Sequence, residues 1–384
     1  MKRYENLDGL RAISCMGIVA MHLYTTAGYA GESGLLDTVI SSWALLVIPF
    51  MMLSGFGICA GYLERFQAGK ISLETFYARR YSKVLPFFLV TTLIGVIAEH
   101  SLRGIAEGII ELSLVFGFLP NNSNCFNVNG VCWTLGTIFA FYLLFPFISV
   151  LLKNKKRAWM AFAASVMIQL LCETLFMTED FVLESYINRT NVLYSMPFFL
   201  AGGLLYIFRE DIQHFVSGNI KSERSNQQAN SEHKWCIYHK GRNQRQYCIL
   251  LVCILATVFY YIMPDAIFDI SISDQKTAFV FSLWSIYAIG AKSVVLSNRI
   301  LNVIAKYSME IYLSHMIVLK ALRMLRATEI MEKNVMSFLA MFALLMVMTV
   351  AFILVVNFGI KWSKEKVKNS KKTLLKCESV QSRK

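Results

Sequence analysis

Arg11 and His22 stand in the first apolar run of the chain, within NLDGLRAISCMGIVAMHLY at 6–24, and both are residue types that acyl or phosphoryl chemistry uses. A neutral imidazole at bilayer depth can take a proton near neutral pH, and an arginine near the interface stays charged and can hold an anionic group. On an α-helix the interval from 11 to 22 is about 1100° of rotation, so both side chains project within ~20° of one face, ~16.5 Å apart along the axis. One wall of a cavity could carry both. The same pair also fits a purely structural arrangement, in which Arg11 snorkels to the headgroups and His22 hydrogen-bonds to a neighbouring helix.

The stretch LDGLRAIS followed by His22 resembles the opening signature of the integral-membrane acyltransferase 3 family, including the spacing between arginine and histidine. The resemblance implies a catalytic His22, an Arg11 required for activity, an acyl-CoA donor (most simply acetyl-CoA) and a glycan hydroxyl as acceptor. Four further stretches carry it. Ser54, Gly55 and Phe56 resemble the family's SGF element; the glycines suit close helix packing, and Ser54 could touch a thioester or its cavity. In YARRYSKVLPFF the family places two arginines three residues apart, and here Arg80 matches while Lys83 stands at the second position. Arg79, Arg80 and Lys83 could hold coenzyme A phosphates, arginine with a planar fork and lysine as a point charge. Ordinary positive flanking of a membrane span also produces such clusters.

Trp133, Leu135, Phe141, Tyr142 and Pro146 resemble a family element that carries an acidic residue where this chain has Ile138. If that carboxylate orients the histidine in relatives, another group must do so here. Trp133 suits either an interfacial anchor or a surface on which the acceptor stacks. Tyr307, Ser308, Tyr312, Leu313 and His315 match the family's late-helix signature, and His315 fits either direct chemistry or a hydrogen bond between helices. Ser54, Trp133, Tyr142, Glu310 and His315 are thus the candidates to line the substrate site.

Positioning these residues falls to a bilayer. The 384 residues are 56% hydrophobic and only 16% charged, too apolar for a water-soluble domain. About ten runs approach spanning length, at 10–30, 39–63, 81–99, 133–152, 158–177, 191–208, 246–263, 278–296, 302–322 and 335–359. The expected fold is therefore all-α, a polytopic bundle of about ten transmembrane helices over 1–362 with a basic tail at 363–384. Asp8, Arg11 and His22 are poor fits to a secretory signal, so the first run is expected to stay as the first span.

A net charge of +13 invites a nucleic-acid partner, yet the basic residues fall in alternate loops, Lys153, Lys155, Lys156 and Arg157 among them. That is the positive-inside pattern, which puts both termini in the cytoplasm of a cell (plasma or inner) membrane protein and needs no nucleic acid. Residues 105–119 are too short to span and read as interfacial or re-entrant. The polar stretch 209–245 reads as a cytoplasmic loop. No zinc or haem spacing occurs among the nine cysteines. Cys125 and Cys132 share a proposed external loop where a disulfide is permitted, and Asn188-Arg189-Thr190 is a glycosylation pattern without expected meaning in a bacterial setting.

Two rival functions stand beside acyl transfer. One is a proton-coupled transporter or flippase using His22, Glu310 and His315 as a relay, although no internal repeat supports it. The other is an inactive partner subunit, which the missing carboxylate at Ile138 makes conceivable. Lys292 and Glu310 fall at similar depth in an antiparallel hairpin of the last-but-two and last-but-one runs, so a salt bridge between them is expected to relieve the cost of burying either charge.

Overall fold

The computed structural model describes residues 3–31, 34–119, 128–182, 187–217, 231–267, 270–330 and 332–381. These form fifteen helices and one small antiparallel hairpin, Ala266–Ile267 with Ile270–Ser271. The helices are α1 (Glu5–Thr26), α2 (Gly34–Ser42), α3 (Val47–Ile58), α4 (Glu64–Gln67), α5 (Leu73–Glu99), α6 (Leu102–Ser113), α7 (Trp133–Leu151) and α8 (Lys155–Leu171). After them come α9 (Val192–Ile207), α10 (Arg209–Ser217), α11 (Ser231–Ile262), α12 (Ser273–Gly290), α13 (Arg299–Lys306), α14 (Ser308–Met324) and α15 (Val335–Gln381). A 3-10 turn and a π turn join α2, α3 and α4 into one path across the bundle.

Side chains set the boundaries. Ser72, Ser101, Asn154, Asn191 and Asn298 each accept a hydrogen bond from a backbone N–H in the first turn of the helix that follows, satisfying donors the helix cannot pair internally. His100 and Leu114 end α5 and α6 in the left-handed region, at φ 49° and 58°.

Six helical segments are long and apolar enough to cross a membrane, and a seventh if α9 and α10, bent by 62°, form one span. That is fewer than the expected ten. The three expected runs that do not qualify became α1, α12 and the pair α13–α14, which carry Arg11, His22, Asp274, Lys276, Glu310 and His315. Their surroundings explain the difference: a helix enclosed by other helices can keep polar side chains that lipid would exclude. The segment Gln244–Ile262 is 6% buried, whereas Trp133–Leu151 is 61% buried. Leu251, Leu255, Val258 and Phe259 on α11, with Val355 and Phe358 on α15, present an apolar outer rim.

Small residues set the closest contacts inside. A Cβ on Gly55 would lie 2.0 Å from the Phe199 carbonyl oxygen, and one on Gly202 would lie 1.8 Å from that of Met52. Backbones of α3 and α9 therefore touch, the packing role expected for the glycine of the SGF stretch. Gly9 likewise lets α1 reach the Leu296 carbonyl.

Residues 105–119 fall in α6 and a 3-10 turn, too short to span, as expected. On α6 the apolar Leu102, Ile105 and Ile109 are exposed, while Glu107 and Glu111 are buried, the polarity of a helix lying with its apolar side toward lipid. Much of the expected loop at 209–245 is helical, as α10 and the start of α11. Helix α15 continues without a break past residue 362 to Gln381. The permitted Cys125–Cys132 disulfide lies outside the described residues, because Cys125 does.

Candidate active site

Helices α1 and α14 run parallel and in register. The Cys15 thiol donates to the Ser308 carbonyl at 3.5 Å, a pair 293 residues apart. The His22 and His315 rings face each other with centroids 5.2 Å apart and planes tilted by 39°, and 315 − 22 is again 293. His22 is half-buried and His315 fully buried.

The histidine level is tied to neighbouring elements by short polar contacts. His315 Nδ1 lies 3.2 Å from the Ile311 carbonyl oxygen; a carbonyl only accepts, so Nδ1 carries the hydrogen in this contact. The Tyr312 ring centroid is 5.9 Å from that of His315 and 5.8 Å from that of Phe50, and its hydroxyl shares a 2.8 Å hydrogen bond with Thr134. Trp133 is buried at the start of α7, beside Thr134. Asn129 Nδ2 donates to the Leu313 carbonyl at 3.5 Å, and the Asn129 N–H donates to Glu111 at 3.1 Å. Burial pushes the Glu111 carboxyl up to about 8, even though the Asn129 N–H favours its charged form.

A second group gathers nearer the N-terminus of α1. The Arg80 guanidinium sits 4.4 Å from the Tyr62 ring centroid, 5.6 Å from Tyr142 and 6.0 Å from Phe76, stacked on aromatic faces, and its Nε is buried without a partner among the described residues. Arg79, exposed, also interacts with Tyr62. Lys83 lies within electrostatic reach of Arg80, Arg11 and Glu310. Asp8 holds Arg3 at 2.9 Å and faces Arg11 at 3.5 Å. The structure thus gathers Arg11, Arg79, Arg80, Lys83 and Tyr142 at one level and His22, His315 and the Trp133 turn at another, with Glu310 at an intermediate depth. Ser54 falls between them, one turn from Phe50 on the same face of α3.

The expected pairing of Lys292 with Glu310 fails. The helix expected to carry Lys292 ends at Gly290, so Lys292 is exposed in the connection that follows rather than buried in an apolar run. Among the described residues Lys292 and Glu310 make no ion pair within 4 Å; Glu310 instead feels Lys83 and Lys306. By the register of α1 and α14 Glu310 stands level with Gly17 (310 − 293 = 17), roughly 7.5 Å along the axis from His22. Ile138 itself is packed in the apolar core. A surface recess of about 300 Å³ lies beside Asn357, Ile360, Lys361, Lys364 and Glu365 of α15.

One cluster had no signal in the sequence. Arg189 donates to Asp274 at 2.8 Å, and the Tyr194 hydroxyl donates to the other oxygen at 3.0 Å. This strap joins the entry to α9 with the first turn of α12, across 85 residues of chain. It also accounts for the glycosylation pattern, whose Thr190 is buried in the same turn.

A sequence model of the acyltransferase 3 family, described as an acyltransferase domain, matches residues 4–358. The chain is 33% identical over 193 residues to the acyltransferase MdmB of Streptomyces mycarofaciens, covering 47% of this chain and 48% of that protein. It is 29% identical over 178 residues to a Staphylococcus aureus (strain COL) protein provisionally named an O-acetyltransferase, covering 41% of this chain and 27% of that one. The chain thus spans about half and about a quarter of the lengths of these relatives. An uncharacterized protein of Haemophilus influenzae is 28% identical over 180 residues, 41% of this chain and 73% of its own. No solved structure matches.

Proposed function

Because the chain belongs to the acyltransferase 3 family, we propose that it moves an acetyl group from cytoplasmic acetyl-CoA to a hydroxyl of a cell-surface or exported glycan. The observation that carries this reading is the separation of a cationic level and a histidine level along one helix, about 16.5 Å from Arg11 to His22. An extended pantetheine arm crosses that interval, so phosphates held by Arg80, Lys83 and Arg11 leave the thioester beside His22. The donor side is cytoplasmic by the distribution of lysine and arginine, with both termini inside and the chain in the cell membrane. The acceptor then meets the opposite end, where Trp133 and Tyr312 offer aromatic surface. His22 either takes the proton of the acceptor hydroxyl or carries the acetyl group as an acyl-imidazole.

The test uses the purified full chain in nanodiscs with acetyl-labelled acetyl-CoA. Saturable binding and release of free CoA support the reading, and acid-quenched protein retaining label distinguishes the acyl-imidazole route. Absence of both binding and CoA release overturns it. The pairing of His22 with His315 inside the helical bundle favours one competitor, a proton-coupled transporter, which would acidify liposomes on substrate addition without releasing CoA.

A further inference from the structure

In this chain no carboxylate is placed to fix His22. The family position holds Ile138, Glu310 stands roughly 7.5 Å away along the α1–α14 register, and no acidic side chain among the described residues makes a charge interaction with His22. Glu111 is occupied by the Asn129 N–H. What faces His22 is another imidazole.

The His315 ring is held in one tautomer. Its Nδ1–H is directed at the Ile311 carbonyl at 3.2 Å, which in a neutral ring leaves Nε2 as an acceptor. That Nε2 is fully buried and has no partner among the described residues, an arrangement that is costly unless a donor arrives. The nearest ring is His22. Two imidazoles joined by an N–H···N bond of about 2.9 Å, with each nitrogen about 1.2 Å from its ring centre, have centroids about 5.3 Å apart; the observed separation is 5.2 Å. No hydrogen bond joins the rings in the tilted pose observed, so closing it requires the His22 ring to turn its N–H toward Nε2.

We propose that His315 is the positioning residue for His22, accepting the His22 N–H at Nε2. The inference rests on the acyl-transfer reading above. With one nitrogen committed to His315, the other nitrogen of His22 holds its lone pair toward the reacting groups. In the general-base route that nitrogen takes the acceptor's proton as the acceptor oxygen bonds to the thioester carbon. The C–S bond then breaks, and the CoA thiolate takes the proton from His22 to leave as the thiol. The His22 imidazolium formed in between is stabilised by its charge-assisted hydrogen bond to a neutral His315. In the acyl-imidazole route the same lone pair attacks the thioester carbon.

The test is nitrogen NMR on the full chain labelled at its six histidines, with signals assigned by His22→Gln and His315→Gln. The expected result is His315 protonated at Nδ1 only, and a single His22 tautomer that becomes mixed in His315→Phe. His315 protonated at Nε2 overturns the proposal. In parallel, CoA release from acetyl-CoA with water or glycerol as acceptor should fall about 10² to 10⁴-fold in kcat for His315→Phe, with KM for acetyl-CoA within about twofold. His315→Gln, whose carboxamide oxygen still accepts, should recover part of the loss. Wild-type kcat in His315→Phe beside a dead His22→Ala overturns the pairing alone; an active His22→Ala overturns the assignment of His22 itself. If His315→Phe does not fold, the tautomer in the unaltered protein decides.

Discussion

The two levels of α1 are built on opposite principles. Around Arg80 and Lys83, charge stays near the surface and is steadied by the rings of Tyr62, Tyr142 and Phe76. Around His22 and His315, groups are neutral, enclosed and oriented by hydrogen bonds to backbone and hydroxyl. A site that binds a polyanion gains from cations that remain partly hydrated, because full burial of a guanidinium costs more than one phosphate returns. A site that moves a proton gains from exclusion of water and a fixed tautomer. The division predicts that substitutions at the first level change donor affinity, and those at the second change turnover.

Four experiments can break or sharpen that division. His22→Ala should lower acetyl transfer by about 10² to 10⁴-fold while coenzyme A affinity stays within twofold, measured by CoA release and by calorimetry; an equal loss in both merges the two levels. Arg80→Ala should do the reverse, weakening coenzyme A binding about tenfold, or ~1.4 kcal/mol, with turnover at saturation little changed. Calorimetric affinity equal to wild type removes Arg80 from the donor site. A smaller effect is expected at the edge of the histidine level, where burial raises the Glu111 carboxyl to about 8. The folded protein then holds a proton that the unfolded chain releases near 4.5, so stability from this group is full at low pH and is lost as pH rises toward and through 8. Glu111→Gln should therefore gain several degrees in Tm relative to wild type between pH 5 and pH 9, and parallel curves refute the assignment. Smallest of all is Lys292→Ala: exposed and unpaired with Glu310, it should shift stability by no more than about 0.5 kcal/mol, and a larger loss would restore the pairing the structure rejects.

The chemistry of the site was legible in the sequence further than its architecture. Arg11 and His22 on one helix face followed from their spacing, and the helix does place them so. Lys83 within electrostatic reach of Arg11 could not be read that way, because α5 packs on α14 and α14 on α1, and spacing along one chain does not encode such tertiary packing. Lys292 went astray for a local reason. The run 278–296 is apolar apart from Lys292 and three serines, but Gly290 ends the helix and Ala291 turns extended at φ −89° and ψ 158°. All ten apolar runs appear as helices, but only six or seven have the length and hydropathy of a span, because α1, α12 and α14 carry polar groups that only an enclosed helix can keep. The Arg189–Asp274 strap left no trace, since two isolated charges 85 residues apart look like loop residues until the helices assemble.

The shared direction of α1 and α14 also constrains how the chain threads the bilayer. Two crossing helices that run the same way begin on the same side, so the chain between them must cross an odd number of times. Leu36–Gln67, Leu73–Glu99, Trp133–Leu151, Lys155–Phe176 and Gln244–Ile262 are five helical segments long and apolar enough for such passages. The bent α9–α10 pair and α12 are the two remaining candidates. With α6 too short to cross, parity ties their fates together: either both traverse the membrane or neither does.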